Sequence, residues 1–294
     1  HKDFGEFLLA FRDITFWLRD PEDYALVLRR MMRSLAEQNV RHAEVYISVG
    51  VIHWRSQSFG EIFAALDQAR RQSERETGIS LYWIFDAVRH FGVEAAERVV
   101  EEALRYRDHN VIAIGIGGDE RRGPAEWFRD LYSRAAAAGL RLTAHAGESC
   151  GPESITAALD LLKAQRIGHG LSAQHDPALL DRLRREQVPI EVCISSNLRT
   201  GCCPRLADHP VRRYFDAGLN VVLNSDDPPM FGTTLSREYQ LAQDAFGFSD
   251  HELRRLAENS FRASFLPEDR KRALLAELKV AGSHEGHKGS TKDR

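Results

Sequence analysis

The chain has 294 residues, of which 43% are hydrophobic and 28% charged, and its formal net charge is −3. This composition is typical of a soluble globular protein with a full-size core, and the charge argues against a surface that binds a nucleic-acid backbone. No apolar run approaches the roughly 20 residues of a membrane span, and four cysteines without a CxxC pair favour a reducing compartment, so we expect a cytoplasmic protein.

Helical and β-rich segments alternate along the chain. Apolar residues at helical spacing predict a first helix from Phe4 and a second from Pro21 to about Asn39. Strands and helices then alternate as far as residue 224, and further helices fill 236–280. The seven predicted strands are 40–49, 79–86, 111–116, 140–145, 166–169, 188–195 and 219–224.

This alternation predicts a parallel sheet with helices outside it, and therefore an α/β fold. A (β/α)₈ barrel of the TIM type fits best, although closure needs eight strands and only seven are predicted. An open doubly wound sheet is the rival, but no GxGxxG or P-loop follows an early strand. We expect one barrel domain over residues 1–280 and a disordered tail over 281–294.

Ionisable residues, together with a pair of glycines, gather at the predicted carboxyl ends of four strands. Barrels of this type hold their chemistry at that end, and random placement would scatter such residues over both ends and the outer helices. The group comprises Gly117-Gly118-Asp119-Glu120 after the third strand, His145 and Glu148 after the fourth, His169 after the fifth, and Asp226 and Asp227 after the seventh.

An imidazole and a carboxylate on neighbouring strands suit Zn²⁺, which can activate water while an adjacent carboxylate handles the proton. Because Asp226 and Asp227 are consecutive, we expect their side chains to point apart, with one on the metal and the other toward a substrate. Each motif alone also has an ordinary explanation. Glu148 would favour the first turn of a helix, and Asp226-Asp227-Pro228 is typical of a turn.

Several motifs together resemble the adenosine deaminase family in order and approximate spacing, from about residue 4 to about 265. The resemblance implies a (β/α)₈ barrel of the metal-dependent hydrolase kind, one Zn²⁺ per chain, and hydrolytic deamination of a 6-aminopurine. The motifs are Gly117–Glu120, Thr143–Glu148, Arg166–Gly170, Ser195-Ser196-Asn197 with Thr200-Gly201, and Asn224–Pro228.

The resemblance also implies roles for individual residues. Glu148 is similar to the acid that protonates purine N1 while hydroxide attacks C6. His169 resembles the residue that orients the attacking water and helps to move its proton, and Asp227 resembles the carboxylate that hydrogen-bonds the hydroxide. Gly118 matches the backbone N–H that donates to purine N3.

Two metal ligands, His145 and Asp226, are implied in the same way. The family carries a His-x-His pair at the end of its first strand as two further ligands, and no His-x-His occurs in the 294 residues. We expect that an N-terminal segment with this pair and the eighth strand is missing. For the sequence as it stands we expect weak zinc binding and little turnover, and ammonia release once such a segment is restored.

The substrate stays open among the 6-aminopurines. Adenosine, giving inosine and ammonia, is the first expectation. Aminodeoxyfutalosine, a carboxylate-bearing adenosine derivative, comes second because Arg55, which follows the first predicted strand with Ser48 and Trp54, could pair with a carboxylate. Adenine comes third, because adenine-specific members of the family carry a different stretch at 195–201. We expect a small-molecule partner only, without nucleic acid or membrane.

A different class of function also stays open. A barrel that lacks one strand exposes two edges, so the chain could be an inactive, deaminase-like binding protein or an unstable fragment. Zinc content separates this reading from the enzyme, because a scaffold needs no metal.

Overall fold

The computed structural model describes residues 3–285, and seven strands lie at the predicted places in one sheet. Each strand pairs in parallel with the next along the chain. The sheet curls into a TIM-type barrel that lacks one strand, which confirms the predicted fold. The strands are β1 (His42–Ile47), β2 (Ser80–Val88), β3 (Val111–Gly117), β4 (Arg141–Ala146), β5 (Arg166–His169), β6 (Ile190–Val192) and β7 (Val221–Leu223).

Helices connect the strands and cover the outer face of the sheet. They are α1 (Phe4–Thr15), α2 (Pro21–Glu37), α3 (Val49–Trp54), α4 (Phe59–Thr77), α5 (Val93–Arg105), α6 (Arg129–Ala137), α7 (Pro152–Asp160), α8 (Pro177–Glu186), α9 (Ile194–Arg199), α10 (Val211–Asp216), α11 (Pro228–Phe231), α12 (Leu235–Phe246), α13 (Asp250–Ala263) and α14 (Glu268–Glu285).

The predicted helix starts rest on caps that the structure contains. Asp20 accepts from the backbone of Glu22 and Asp23 and forms a capping box before Pro21, and Ser249 forms another at the start of α13. These side chains satisfy backbone N–H groups that the first turn of a helix leaves unpaired.

Two short helices, α3 and α9, were not predicted. Both begin where a strand was expected to continue, at Val49 and Ile194. The residues there are apolar and buried, and a short apolar run does not distinguish a buried strand from a buried helix.

The last helix, α14, runs five residues into the segment predicted to be a disordered tail. Residues 286–294 of that segment lie outside the described residues. None of the helices within 3–285 is both long and apolar enough to cross a bilayer.

The hydrophobic core lies between the sheet and the outer helices. Trp83 and Phe85 of β2 are almost fully buried and pack edge-to-face with Phe63 of α4. The amphipathic helix α5 buries Val99 and Ala103 against β2 and β3. This layer holds the strands in place, so that residues at their carboxyl ends are presented by a rigid support.

The strands β1 and β7 are the two edges of the described sheet. A cavity of about 1710 Å³ reaches from the carboxyl ends of the strands into the barrel, and residues of β1 and β7 line it together with α1 and α2. The aromatic ring of Phe7 on α1 packs against Phe231, with ring centroids 5.4 Å apart. The first helix therefore forms one wall of the space in which the predicted site residues lie.

Candidate active site

His145 lies at the end of β4, in register with Gly168 of β5. A Cβ atom at position 168 would come within 3.3 Å of the imidazole Cγ, and one at Gly117 within 3.5 Å of Nδ1. Glycine on both neighbouring strands therefore leaves room for the ring inside the barrel. The ring centroids of His145 and His169 are 5.1 Å apart.

A buried carboxylate holds the loop that follows β4. Glu120 accepts hydrogen bonds from the backbone N–H groups of Gly147, Glu148 and Ser149, at 2.9, 3.0 and 2.8 Å, and from the Ser154 hydroxyl. Burial opposes ionisation of Glu120, but the hydrogen bonds from Ser154 and the backbone outweigh it and lower the pKa. This charge-assisted clamp fixes the backbone on which Glu148 is mounted.

A second clamp holds the end of β4 itself. The Arg89 guanidinium, which is 2% exposed, donates to the backbone carbonyls of His145 at 2.7 Å and Gly123 at 3.0 Å. Arg89 is the residue after β2, so a side chain at the end of β2 fixes the main chain at the end of β4.

His169 and Asp226 both adopt left-handed backbone conformations, with φ of +63° and +54°. Side chains other than glycine disfavour this region, and such strain occurs where the surrounding structure enforces it, often at functional sites. Here two residues of α9 hold these conformations through hydrogen bonds. Ser196 Oγ donates to Asp226 at 2.7 Å, and Asn197 Nδ2 lies 2.9 Å from His169 Nδ1.

The structure brings the predicted residues together in one place. His169 Nε2 lies 3.7 Å from Glu148 Oε2 and 3.9 Å from Asp226 Oδ2. These residues, with His145, Asp227 and Gly118, line the same cavity. Both carboxyl groups therefore lie within 4 Å of the same imidazole nitrogen at the cavity wall.

The side chains of Asp226 and Asp227 do not point apart as predicted. Burial raises the pKa of both carboxyl groups, and a hydrogen bond between them raises the pKa of Asp227 further while lowering that of Asp226. The left-handed turn at Asp226 breaks the alternation of an extended strand, which is the reason that the prediction fails.

Burial shifts the pKa values of this cluster toward the uncharged forms. Burial, followed by the nearby Asp226 carboxylate, raises the pKa of Glu148 well above its ordinary value. Burial lowers the pKa of His145 and of His169 to about 4. Near neutral pH the site therefore combines a protonated carboxyl group, which can donate, with neutral imidazoles.

Gly118 has φ of +89°, and a Cβ there would lie 2.8 Å from His90 Nδ1. That nitrogen accepts a hydrogen bond from the backbone N–H of Asp119 at 3.2 Å. Glycine is therefore required both by the backbone conformation and by the close imidazole ring. The result is a turn whose main chain borders the cavity opposite Glu148.

The donors at this site fit a divalent metal such as zinc. His145 Nδ1 is buried without a hydrogen-bond partner, and the carboxylate of Asp226 borders the same cavity. Within the described residues, one set of possible ligand atoms lies within 4.8 Å of one another, on His169, Cys193 and Asp226. Imidazole, thiolate and carboxylate are all zinc ligands.

Arg55 does not face the cavity as proposed for a substrate carboxylate. Its guanidinium donates to the backbone carbonyls of Thr15 and Leu18, the latter at 2.8 Å, and lies over the ring of Phe16. It therefore holds the connection between α1 and α2. Ser48 and Trp54, predicted beside it, do line the cavity.

Some residues of the site were not predicted from the sequence. They include Asp86 on β2, in register with Gly115, whose missing side chain leaves space for the carboxyl group. Burial, and to a smaller extent Asp226, raises the pKa of Asp86 to about 8. A carboxylate at the end of the apolar run 81–85 was the available signal, since buried strands rarely hold one without a role.

A family model described as adenosine deaminase matches residues 1–281 of the chain. The chain belongs to the adenosine deaminase family. It is therefore a hydrolase of the class that acts on C–N bonds in cyclic amidines. This membership and the fold agree with the resemblance noted from the motifs.

Individual relatives are similar over most of the chain. An aminodeoxyfutalosine deaminase from Streptomyces avermitilis is 40% identical over 94% of this chain and 78% of its own length. The crystal structure of an adenine deaminase from Arthrobacter aurescens has a TM-score of 0.92 at 34% identity, covering 96% of this chain and 86% of that one. An amidohydrolase from Burkholderia ambifaria, solved with bound zinc, has a TM-score of 0.85 at 27% identity, covering 92% and 75%.

Proposed function

We propose that the protein catalyses the zinc-dependent hydrolytic deamination of a 6-aminopurine nucleoside, converting adenosine to inosine and ammonia. The observation that carries this proposal is that Glu148 and Asp226 both lie within 4 Å of His169 Nε2, on the wall of a cavity large enough for a nucleoside. Deamination needs a proton donor for the purine ring, a positioned water molecule and a base that accepts the proton of that water, all within a few ångströms.

Glu148 supplies the proton to the purine. Because its carboxyl group is buried among Asp226, Glu120 and Asp227, it is protonated at neutral pH and can donate to ring nitrogen N1. The backbone N–H of Gly118 donates to N3. Two donors on the ring orient the substrate so that C6 faces the carboxyl ends of β5 and β7.

Asp227 and His169 serve the water on the other side of C6. Asp227 hydrogen-bonds the attacking hydroxide, and His169 Nε2 holds it in line with the ring carbon. Once C6 is tetrahedral, the proton of its new hydroxyl group passes through Asp227 to the amino group, the C6–N bond breaks, and ammonia leaves as C6–O becomes a carbonyl. The two clamps formed by Glu120 and Arg89 keep these groups in place without reorganisation during the reaction.

His145 and Asp226 are the residues that would hold the zinc ion. When bound, zinc lowers the pKa of water and so supplies hydroxide near neutral pH. Ser196 orients Asp226 through its hydroxyl hydrogen bond, as outer partners of metal ligands commonly do.

A second candidate substrate is aminodeoxyfutalosine, which bears a carboxylate. The similar Streptomyces protein is named for it, and the cavity contains a suitable cation. Arg122 follows the Gly118 turn, lines the cavity, and makes no side-chain hydrogen bond or ion pair to the residues described. The stacked rings of Trp54 and Phe91, 5.9 Å apart, offer an apolar surface nearby for the rest of the substituent.

A substrate panel tests the proposal. Zinc-loaded protein, extended at its N-terminus by a segment that carries the expected His-x-His pair, is given adenosine, aminodeoxyfutalosine and adenine in turn, and kcat/KM is measured from ammonia release. A nucleoside deaminated faster than adenine supports the proposal, and the ratio of the two nucleosides decides between the candidates. Preference for adenine, or no ammonia from any of the three with zinc bound, would overturn it.

We also place this reaction in the cytoplasm. All four cysteines, Cys150, Cys193, Cys202 and Cys203, are free thiols, which fits a reducing compartment.

A further inference from the structure

A chain of hydrogen bonds leads from His169 away from the cavity into the protein interior. Asn197 Nδ2 lies 2.9 Å from His169 Nδ1, and His209 Nε2 lies 3.1 Å from Asn197 Oδ1. The backbone N–H of Val211 donates to His209 Nδ1 at 3.2 Å. The three side chains are at most 3% exposed, so solvent does not compete for these contacts.

The donor and the acceptor of each of these hydrogen bonds follow from the contact at Val211. A backbone N–H can only donate, so His209 Nδ1 accepts and the proton of the neutral ring lies on Nε2. His209 Nε2 then donates to the Asn197 carbonyl oxygen. This contact orients the amide so that its NH₂ group faces His169, and His169 Nδ1 accepts in turn.

The reverse arrangement fails at Val211. If the amide of Asn197 were turned around, its NH₂ group would face His209 Nε2, and the His209 proton would have to move to Nδ1, against the N–H of Val211. A doubly protonated His209 meets the same N–H. The backbone of Asn197 is itself fixed, because its N–H donates to Cys193 O at 2.9 Å and its carbonyl accepts from Cys203 N–H at 2.8 Å.

We propose that Val211, His209 and Asn197 together fix His169 as the tautomer that carries its proton on Nε2. That nitrogen faces Glu148 and Asp226 across the cavity. His169 thus presents an N–H donor to the reacting water, and Asn197 and His209 are positioning residues that act through it. The catalytic consequence rests on the proposed function, whereas the tautomer does not.

The tautomer has a further consequence for metal binding. An imidazole nitrogen that carries a proton has no lone pair for a metal ion. His169 Nε2 is therefore a hydrogen-bond donor rather than a ligand, although it lies close to Cys193 and Asp226. The metal is left to His145 and Asp226, with Cys193 as the remaining close donor.

The test is a long-range ¹H–¹⁵N correlation spectrum of the ¹⁵N-histidine-labelled protein, which separates protonated from unprotonated ring nitrogens. Signals are assigned from His169→Gln and His209→Gln. We expect His169 and His209 both to show a protonated Nε2 and an unprotonated Nδ1, with or without added zinc. A wild-type His169 that is protonated on Nδ1 would overturn the proposal.

Asn197→Asp is the variant that should invert the tautomer. A carboxylate can only accept, so it draws the His169 proton to Nδ1. We expect the spectrum to show this shift and kcat to fall by roughly 10²-fold or more, with KM little changed. A folded Asn197→Asp protein whose His169 keeps its proton on Nε2 would contradict the proposal.

Two further variants complete the test. His209→Gln keeps an N–H donor toward Asn197, so it should preserve the His169 tautomer, and it decides with the wild-type spectrum if Asn197→Asp does not fold. His251→Gln is the matched control, because His251 is exposed on α13. Tautomers that match the proposal, without deamination by the zinc-loaded wild type extended with the His-x-His segment, would contradict the proposed function alone. Deamination with the opposite tautomer would sink only this inference.

Discussion

The barrel interior holds two buried polar clusters that differ in how well their charges are compensated. At the amino ends of the strands, Arg166 contacts Glu44 and lies 3.0 Å from Glu191. At the carboxyl ends, within the described residues, Glu148 and Asp226 form no ion pair with an arginine or lysine, and the nearby Arg89 guanidinium donates to backbone carbonyls instead. The strand β5 carries Arg166 at one end and His169 at the other, three residues apart.

The pKa values express this difference. In the amino-end cluster, burial opposes ionisation of Glu44, but the Arg166 guanidinium and then His42 lower the pKa to about 2. In the carboxyl-end cluster, burial and then the neighbouring Asp226 carboxylate raise the pKa of Glu148 and Asp227, and the opposing effect of Arg89 on Glu148 does not offset them. One cluster is built as a paired structural support, whereas the other keeps groups in the reactive states that catalysis uses.

The largest effect is expected for Glu148→Gln. The amide cannot donate a proton to the purine, so kcat should fall by roughly 10³-fold. Because the variant removes a buried carboxyl group that forms no ion pair with an arginine or lysine among the described residues, the free energy of unfolding should stay the same or rise. Steady-state kinetics and urea unfolding check both points, and a Glu148→Gln enzyme of wild-type kcat would remove the distinction between the clusters.

Glu44→Gln should instead lower the free energy of unfolding. The folded pKa of Glu44, about 2 against an ordinary 4.5, lies below its unfolded value. The ion pair therefore stabilises the fold above about pH 4.5, by an amount on the order of 3 kcal/mol, and this stability is lost as the pH falls toward 2. Urea unfolding of wild type and variant between pH 7 and pH 3 measures it, as a difference that shrinks with acidity. A constant difference would show that charge is not its origin.

Ser196→Ala should weaken the metal site without emptying it. Removal of the 2.7 Å hydrogen bond to Asp226 leaves that carboxylate less well oriented. We expect zinc affinity to fall by roughly 10-fold, as measured by competition with a chelator. Ser133→Ala, exposed on α6 away from the cavity, is the control, and equal affinities in the two variants would contradict a role for Ser196.

Arg122→Gln should give the smallest and most selective change. If Arg122 pairs with a substrate carboxylate, kcat/KM for aminodeoxyfutalosine should fall by roughly 10-fold while that for adenosine is unchanged, since one exposed charge pair contributes about 1 kcal/mol. Arg121→Gln, the neighbouring exposed arginine, is the matched control. A loss shared by both nucleosides would assign Arg122 a structural role instead.

Much of the fold and the central residues could be predicted because both depend on local pattern. The strands are apolar runs, and His145, Glu148, His169, Asp226 and Asp227 lie in the last two residues of a strand or within four residues after one. Their position relative to the barrel mouth therefore follows from topology alone.

The supporting residues could not be predicted in the same way. Arg89 reaches His145 across 56 positions of sequence, and His209 acts on His169 through Asn197. Such contacts depend on how loops pack, which periodicity does not encode. Arg55 shows the same limit. Its position after β1 predicted that it would lie at the cavity, but not that it would donate to backbone carbonyl groups between α1 and α2.

Removal and return of zinc test the central claim most directly. Ammonia release from the preferred 6-aminopurine is measured for the chelator-treated protein, extended by a segment with the expected His-x-His pair, and again as zinc is added. Glu148→Gln is carried through the same titration. We expect ammonia release by the wild type to disappear with the metal and to return in proportion to bound zinc, while Glu148→Gln binds zinc without releasing ammonia. Release that is independent of zinc, or a zinc-loaded wild type no faster than Glu148→Gln, would contradict it.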